Sequence, residues 1–149
     1  QLVAELVRRG RIKLTTSLDL DLAYHDPCYL GRYGGVYDAP RGVLEQLGLE
    51  LVEMPRNRSS AYCCGAGGGV INCGPPHKMT RMQGNRIKAE QLFGAKSKGA
   101  AVLLAPCHNC HSGLEDIVHH YEIGQEIKFI GDIIETEMVI CDQSIGTYF

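Results

Sequence analysis

The run Ala100-Ala101-Val102-Leu103-Leu104-Ala105 is apolar at every position and stops at Pro106-Cys107. A strand with one face in water alternates apolar and polar residues. An unbroken apolar run of this length suits a strand covered on both faces, as in a parallel sheet flanked by helices. The surrounding segments agree. Leu18-Asp19-Leu20-Asp21-Leu22 alternates with period two and leads into Tyr24-His25-Asp26-Pro27-Cys28. Residues 49–54 and 127–130 read as further strands. Helical patterns lie between them. Residues 1–9 form a short one stopped by Gly10. Asp38 would cap a second, Pro40 suits its first turn, and Gly48 closes it. A long helix is expected from Lys78 to Lys98, weakened by Gly84 and Gly94. Leu114, Ile117, Val118 and Tyr121 fall at i, i+3, i+4 and i+7, and a last helix is expected from Asp132 to Ile140. The expected fold class is α/β: a mostly parallel sheet flanked by helices, in four rounds of strand followed by helix.

That topology decides where the cysteines go. Cys28 follows the first strand, Cys63 and Cys64 the second, and Cys107 and Cys110 the third. Open α/β sheets bind ligands outside the carboxyl ends of their strands, so a metal site is expected there. Seven cysteines in 149 residues are an odd count that cannot all pair. In a reducing compartment, a thiol set of this size binds metal or does redox chemistry. The sequence opens at Gln1 with no secretory leader, which leads us to expect a cytoplasmic setting and a longer parent polypeptide. No apolar run approaches the roughly 20 residues that span a bilayer. Fifteen basic against seventeen acidic residues give a net charge of −2, which offers nucleic acid no basic surface.

The pattern is Cys28, 34 residues, Cys63-Cys64-Gly65, 42 residues, then Cys107-His108-Asn109-Cys110. Two intervening residues let both sulfurs of a Cys-x-x-Cys face one ion. Neighbours in an extended chain point to opposite sides, so Cys63 and Cys64 need a sharp turn to serve one centre. Gly65, Gly67, Gly68 and Gly69 permit it, and their amides could donate hydrogen bonds to cluster sulfurs. Zinc takes four ligands and an ordinary [4Fe–4S] cube takes four thiolates. A fifth cysteine points either to a larger, less regular iron–sulfur centre or to a spare thiol beside a four-ligand site. Ligand softness does not choose between zinc and iron.

Cys28…Cys63-Cys64-Gly65…Cys107-x-x-Cys110 resembles the cysteine-rich "CCG" domain of heterodisulfide reductase subunits and of glycolate and lactate oxidase iron–sulfur subunits. His25-Asp26-Pro27-Cys28-Tyr29-Leu30-Gly31-Arg32 and Cys63-Cys64-Gly65-Ala66-Gly67-Gly68-Gly69 carry the likeness beyond the cysteines, over residues 14–139. The resemblance implies that residues 1–149 are one such domain, from the C-terminal part of a longer iron–sulfur protein. It implies that Cys28, Cys63, Cys64, Cys107 and Cys110 bind a noncubane [4Fe–4S] cluster, with zinc as the alternative occupant. The cluster would pass electrons to or from a disulfide, a thiol or a quinone-linked partner. Other electron-transfer subunits or an upstream ferredoxin-like domain would feed it, and any membrane contact would come through a partner subunit. The resembled heterodisulfide chemistry uses two such domains, and this chain has one.

Three further readings bear on single residues. Cys107-His108-Asn109-Cys110-His111 spells a c-type haem attachment signal, which leaves Cys28, Cys63 and Cys64 unexplained. The glycine loop lacks the Gly-Lys-Ser/Thr ending of a phosphate loop. His25 could deliver a proton to a sulfur substrate or hold its loop by hydrogen bonding. Arg32 could offset thiolate charge. Cys73 and Cys141 lie outside the pattern and read as free thiols.

Overall fold

The computed structural model describes residues 1–14, 21–136 and 138–140. The apolar run forms the central strand. Counting strands along the chain, β1 is Ile12–Leu14, β2 Leu22–Tyr24, β3 Val102–Ala105, β4 Glu126–Phe129 and β5 Met138–Ile140. β3 pairs in parallel with β2 on one side (Ala23 opposite Leu103) and with β4 on the other (Leu103 opposite Ile127). The helices are α1 Leu2–Arg8, α2 Asp38–Gln46, α3 Pro75–Gly84, α4 Arg86–Lys96, α5 His108–His120 and α6 Ile130–Thr136. The parallel sheet flanked by helices is therefore as expected.

Period-two alternation divides the core into two layers. Ala23, Leu103 and Ala105 face one way, onto Met82, Ala89, Leu92, Leu114 and Ile117 of α3, α4 and α5. Leu22, Tyr24, Val102 and Leu104 face the other way, onto Leu44 of α2, Leu47, and Ile133 of α6. All four residues of β3 are buried, which is what its unbroken apolar sequence requires.

Several boundaries differ from the sequence reading. The strand expected at 49–54 contracts to a single parallel bridge between Leu51 and Leu22. Leu22 donates to Glu50 and Val52 donates to Leu22, after which the segment turns away, drawing Glu53 to Arg41 and leading to Pro55, which has no N–H to pair. The expected long helix breaks at Asn85, between α3 and α4, just after Gly84. Asp38 is the first residue of α2 rather than its cap. The last helix stops at Thr136, and Met138–Ile140, β-rich in sequence, pairs antiparallel with Ile12–Leu14. The alternating segment at 18–22 falls mostly at positions 15–20, outside the described residues, as does Cys141; the described strand begins at Leu22.

The order across the sheet is the Leu51 bridge, β2, β3, β4. After β2 the chain steps outward to Leu51, then crosses back over β2 to form β3. The direction of winding thus reverses between β2 and β3, the place where open α/β sheets form a crevice.

Candidate metal centre

At that crevice β2 runs out into His25-Asp26-Pro27-Cys28. The His25 amide still bonds the Leu104 carbonyl at 2.9 Å, so the imidazole sits at the sheet edge, 1% exposed. Asp26 is clamped. Arg41 grips both its oxygens, at 2.8 and 2.9 Å, and the Arg58 amide donates to it at 2.7 Å. The same guanidinium reaches Glu53 and the Tyr37 carbonyl and lies over the Tyr24 ring. Cys28 then opens a π-helical turn, Tyr29–Tyr33, closed by the Tyr33 amide on the Cys28 carbonyl. Its thiol is half-buried.

Cys63 and Cys64 are separated in burial, exposed and 3% exposed respectively. Gly65 makes the turn between them possible. Its φ is +70°, its amide bonds the Cys63 sulfur at 3.2 Å, and an added Cβ would lie 2.3 Å from the Asn85 amide. Asn85, at the break between α3 and α4, donates to the Cys64 carbonyl at 3.1 Å. The helix break therefore holds the loop in place. A Cβ added at Gly67 or Gly68 would meet nothing within 4 Å.

Cys107 caps α5 and Cys110 lies buried in its first turn. The Cys64 and Cys110 sulfurs are 3.2 Å apart. Donor atoms of His25, Cys64 and Cys110 all lie within 4.8 Å of one another. A cavity of about 20 Å³ is lined by His25, Cys28, Cys63, Cys64 and Cys110. The fold thus gathers four of the five patterned cysteines and His25. Cys107 is partly buried against the core beside them but does not line this cavity. Cys73 is exposed and outside it. His108 and His111 stack on Phe129, and Arg32 is exposed and bonded to the Ala61 carbonyl.

The hydrogen bond with Cys110, followed by burial and opposed by the bond with Cys63, pushes Cys64 up to about 11, and the bond with Cys64 followed by burial raises Cys63. Burial, and then the Lys88 charge, holds His25 well below its usual range, so its imidazole is neutral; its Nδ1 has no partner among the described residues. Lys88 is the residue that sequence reading missed. It is 0% exposed, and among the described residues its hydrogen bond is to the Met54 sulfur at 4.0 Å. Burial pulls it down to about 8, against the opposing pull of Cys64 and Cys63. In sequence it sits beside Ile87, yet Ile87 is exposed and Lys88 is buried. The i, i+3, i+4, i+7 set Lys88, Gln91, Leu92, Ala95 is the buried stripe of α4, a signal hidden by its polar members.

The donor set suits a thiophilic metal centre: convergent thiols, a neutral imidazole and a buried cation to offset thiolate charge. Positioning rests on the Asp26–Arg41 pair. Arg41→Met should destabilise the protein by about 3–5 kcal/mol, because it strands the buried Asp26 carboxylate. Urea unfolding measures this, and a loss under about 1 kcal/mol would show that the clamp is dispensable.

The sequence pattern of the cysteine-rich domain family, CCG, matches residues 22–115. The chain is 36% identical over 142 residues to a probable membrane-anchored ferredoxin of Chromohalobacter salexigens, covering 95% of this chain and 20% of that protein. It is 36% identical over 136 residues to a probable iron–sulfur-binding oxidoreductase of Bacillus subtilis, covering 91% and 18%. With a subunit of the dihydromethanophenazine:CoB–CoM heterodisulfide reductase of Methanosarcina mazei it shares 38% over 147 residues, covering 98% and 33%. The chain thus spans between about a fifth and a third of these relatives. No solved structure matches it. With its three cysteine segments converging at the switch point of a parallel sheet, the chain belongs to the CCG cysteine-rich domain family.

Proposed function

We propose that this chain is an iron–sulfur electron-transfer domain of an oxidoreductase subunit, part of a longer iron–sulfur protein. The observation that carries the reading is the convergence of Cys28, Cys63, Cys64 and Cys110 on one cavity at the switch point. Relatives named as an iron–sulfur-binding oxidoreductase and as a heterodisulfide reductase subunit support it. Cys28, Cys63, Cys64, Cys107 and Cys110 would hold a [4Fe–4S] cluster of the noncubane kind, with Gly65 shaping the loop against it. When bound, such a centre supplies one-electron storage and transfer. The partner would be a disulfide, a thiol or a quinone-linked protein, reached with the help of other subunits. Among the described residues no helix is long and apolar enough to cross a membrane. One relative is named membrane-anchored, and our reading places the domain in the cytoplasm, at the membrane only through a partner.

The chain's own residues have separable tasks. The thiols must shed their protons to bind metal, and the Lys88 ammonium lowers the cost of the anions that result. The exposed Cys63 presents one edge of the site to solvent, while Cys64 and Cys110 exclude water from the other. His25 is neutral at rest; negative charge arriving at the site favours uptake of a second proton from solvent, and the imidazolium can pass that proton to a departing thiolate, which disulfide reduction requires.

A second reading has its own observation. Three donors within 4.8 Å and a cavity of about 20 Å³ suit a single ion, so a zinc-stabilised structural or interaction domain is the rival. Iron, acid-labile sulfide and zinc analysis of anaerobically prepared protein decides. About four irons and four sulfides are expected, lost in Cys64→Ser and kept in Cys73→Ser. One zinc without sulfide gives the case to the rival.

Two substitutions test the supporting roles. Lys88→Met should lower the midpoint potential of the bound centre, since removing a buried cation disfavours the more negative, reduced state; Lys88→Arg should retain it. An unchanged potential in a redox titration of Lys88→Met removes Lys88 from the site. His25→Gln should slow turnover of the parent protein on the order of 100-fold with the visible spectrum intact. A bleached spectrum would instead make His25 a ligand or a structural residue.

A further inference from the structure

A second, larger cavity of about 690 Å³ adjoins the first and shares Cys63 in its lining. Helix α3 forms one wall, offering His77, Thr80, Arg81 and Gly84 at i, i+3, i+4 and i+7. Arg32 and Arg56 stand at its exposed rim, and among the described residues no carboxylate lines it. Arg81 and Asn85 are its buried members. The Arg81 side chain is only 4% exposed, yet its Nε and Nη1 have no hydrogen-bond partner among the described residues. Its ion pair is with Asp116, which also binds Lys78 at 2.6 Å, so one carboxylate serves two cations. Asp116 itself lies outside the cavity lining.

We propose that this cavity binds a small organic anion through a carboxylate or phosphate group, with Arg81 as the buried anchor and Arg32, Arg56 and His77 as the rim. A guanidinium with free N–H groups is built to take an oxyanion, and a partly desolvated one binds it more strongly than a surface lysine does. The recess selects the size of the ligand. Arg81 lines the cavity behind the exposed Arg32 and Arg56, so a small anion would have to enter the recess to meet it, whereas the flat acidic face of a protein would meet only Arg32 and Arg56. The anion would lie beside the exposed Cys63, whichever metal that thiol holds, so the inference stands apart from the identity of the centre.

The test is calorimetric titration of the anaerobically purified protein with inorganic phosphate and, separately, malonate. Saturable binding of either is expected, weakened on the order of tenfold in Arg81→Met, the loss of one charge-assisted hydrogen bond. Arg56→Ala, an exposed change that leaves the fold alone, should weaken it severalfold and so covers the case in which Arg81→Met misfolds. Tighter phosphate points to a phosphorylated ligand and tighter malonate to a dicarboxylate. Metal content is read on the same samples and should not change in Arg56→Ala. Binding of neither anion, or binding indifferent to both variants, overturns the proposal. So does binding of poly-glutamate alone, which would make the basic rim a docking surface for an acidic protein.

Discussion

One guanidinium holds three parts of this fold together. Arg41 rises from α2, takes both oxygens of Asp26 beyond β2, and keeps Glu53 beyond the Leu51 bridge. Two strand-end loops are thereby fixed at the sheet edge where hydrophobic packing alone would leave them free. Arg41 is 10% exposed and Asp26 2% at the side chain, so the pair is desolvated and its geometry has to be good. The bidentate grip, the Arg58 amide and the Tyr24 ring supply that geometry. His25 and Cys28 flank Asp26 in sequence, so what clamps the aspartate also aims the histidine and the cysteine.

Around the thiols the charges are arranged for an occupant. A buried Lys88 with no carboxylate partner among the described residues is costly in a metal-free protein, and so are thiols held protonated against one another. Both costs fall when thiolates form beside the ammonium. Local stability is given up at the site and recovered on binding, as expected when a protein's ligand is part of its folded state.

Much of this was legible in the sequence because it follows from short-range pattern. The apolar run at 100–105 identified the central strand, and the positions of Cys28, Cys63-Cys64 and Cys107-x-x-Cys110 after successive strands anticipated the cavity that Cys28, Cys63, Cys64 and Cys110 line, though not the place of Cys107 outside it. The elements that were misjudged depend on partners remote in the chain. Residues 49–54 look like a strand, but Glu53 is drawn off to Arg41. Residues 78–98 look like one helix, but Asn85 is drawn to the Cys64 carbonyl. Met138–Ile140 leaves the helical pattern to pair with Ile12–Leu14, about 125 residues earlier. Lys88, Arg41 and Arg81 carry no local mark at all, because a lysine or arginine in a helix normally faces water.

The reversal of winding between β2 and β3 also has a kinetic meaning. Tyr24 and Leu104 are register partners separated by 80 positions, with the Cys63–Cys64 turn in between. Closing a loop of that length precedes any contact that rewards it, so contact order is high here and pairing is slow. The thiols therefore cannot assemble as a local hairpin of ligands during synthesis. They meet only when the central sheet has formed, which makes the cluster of sulfurs a reporter of completed folding and sets loading of the site after it.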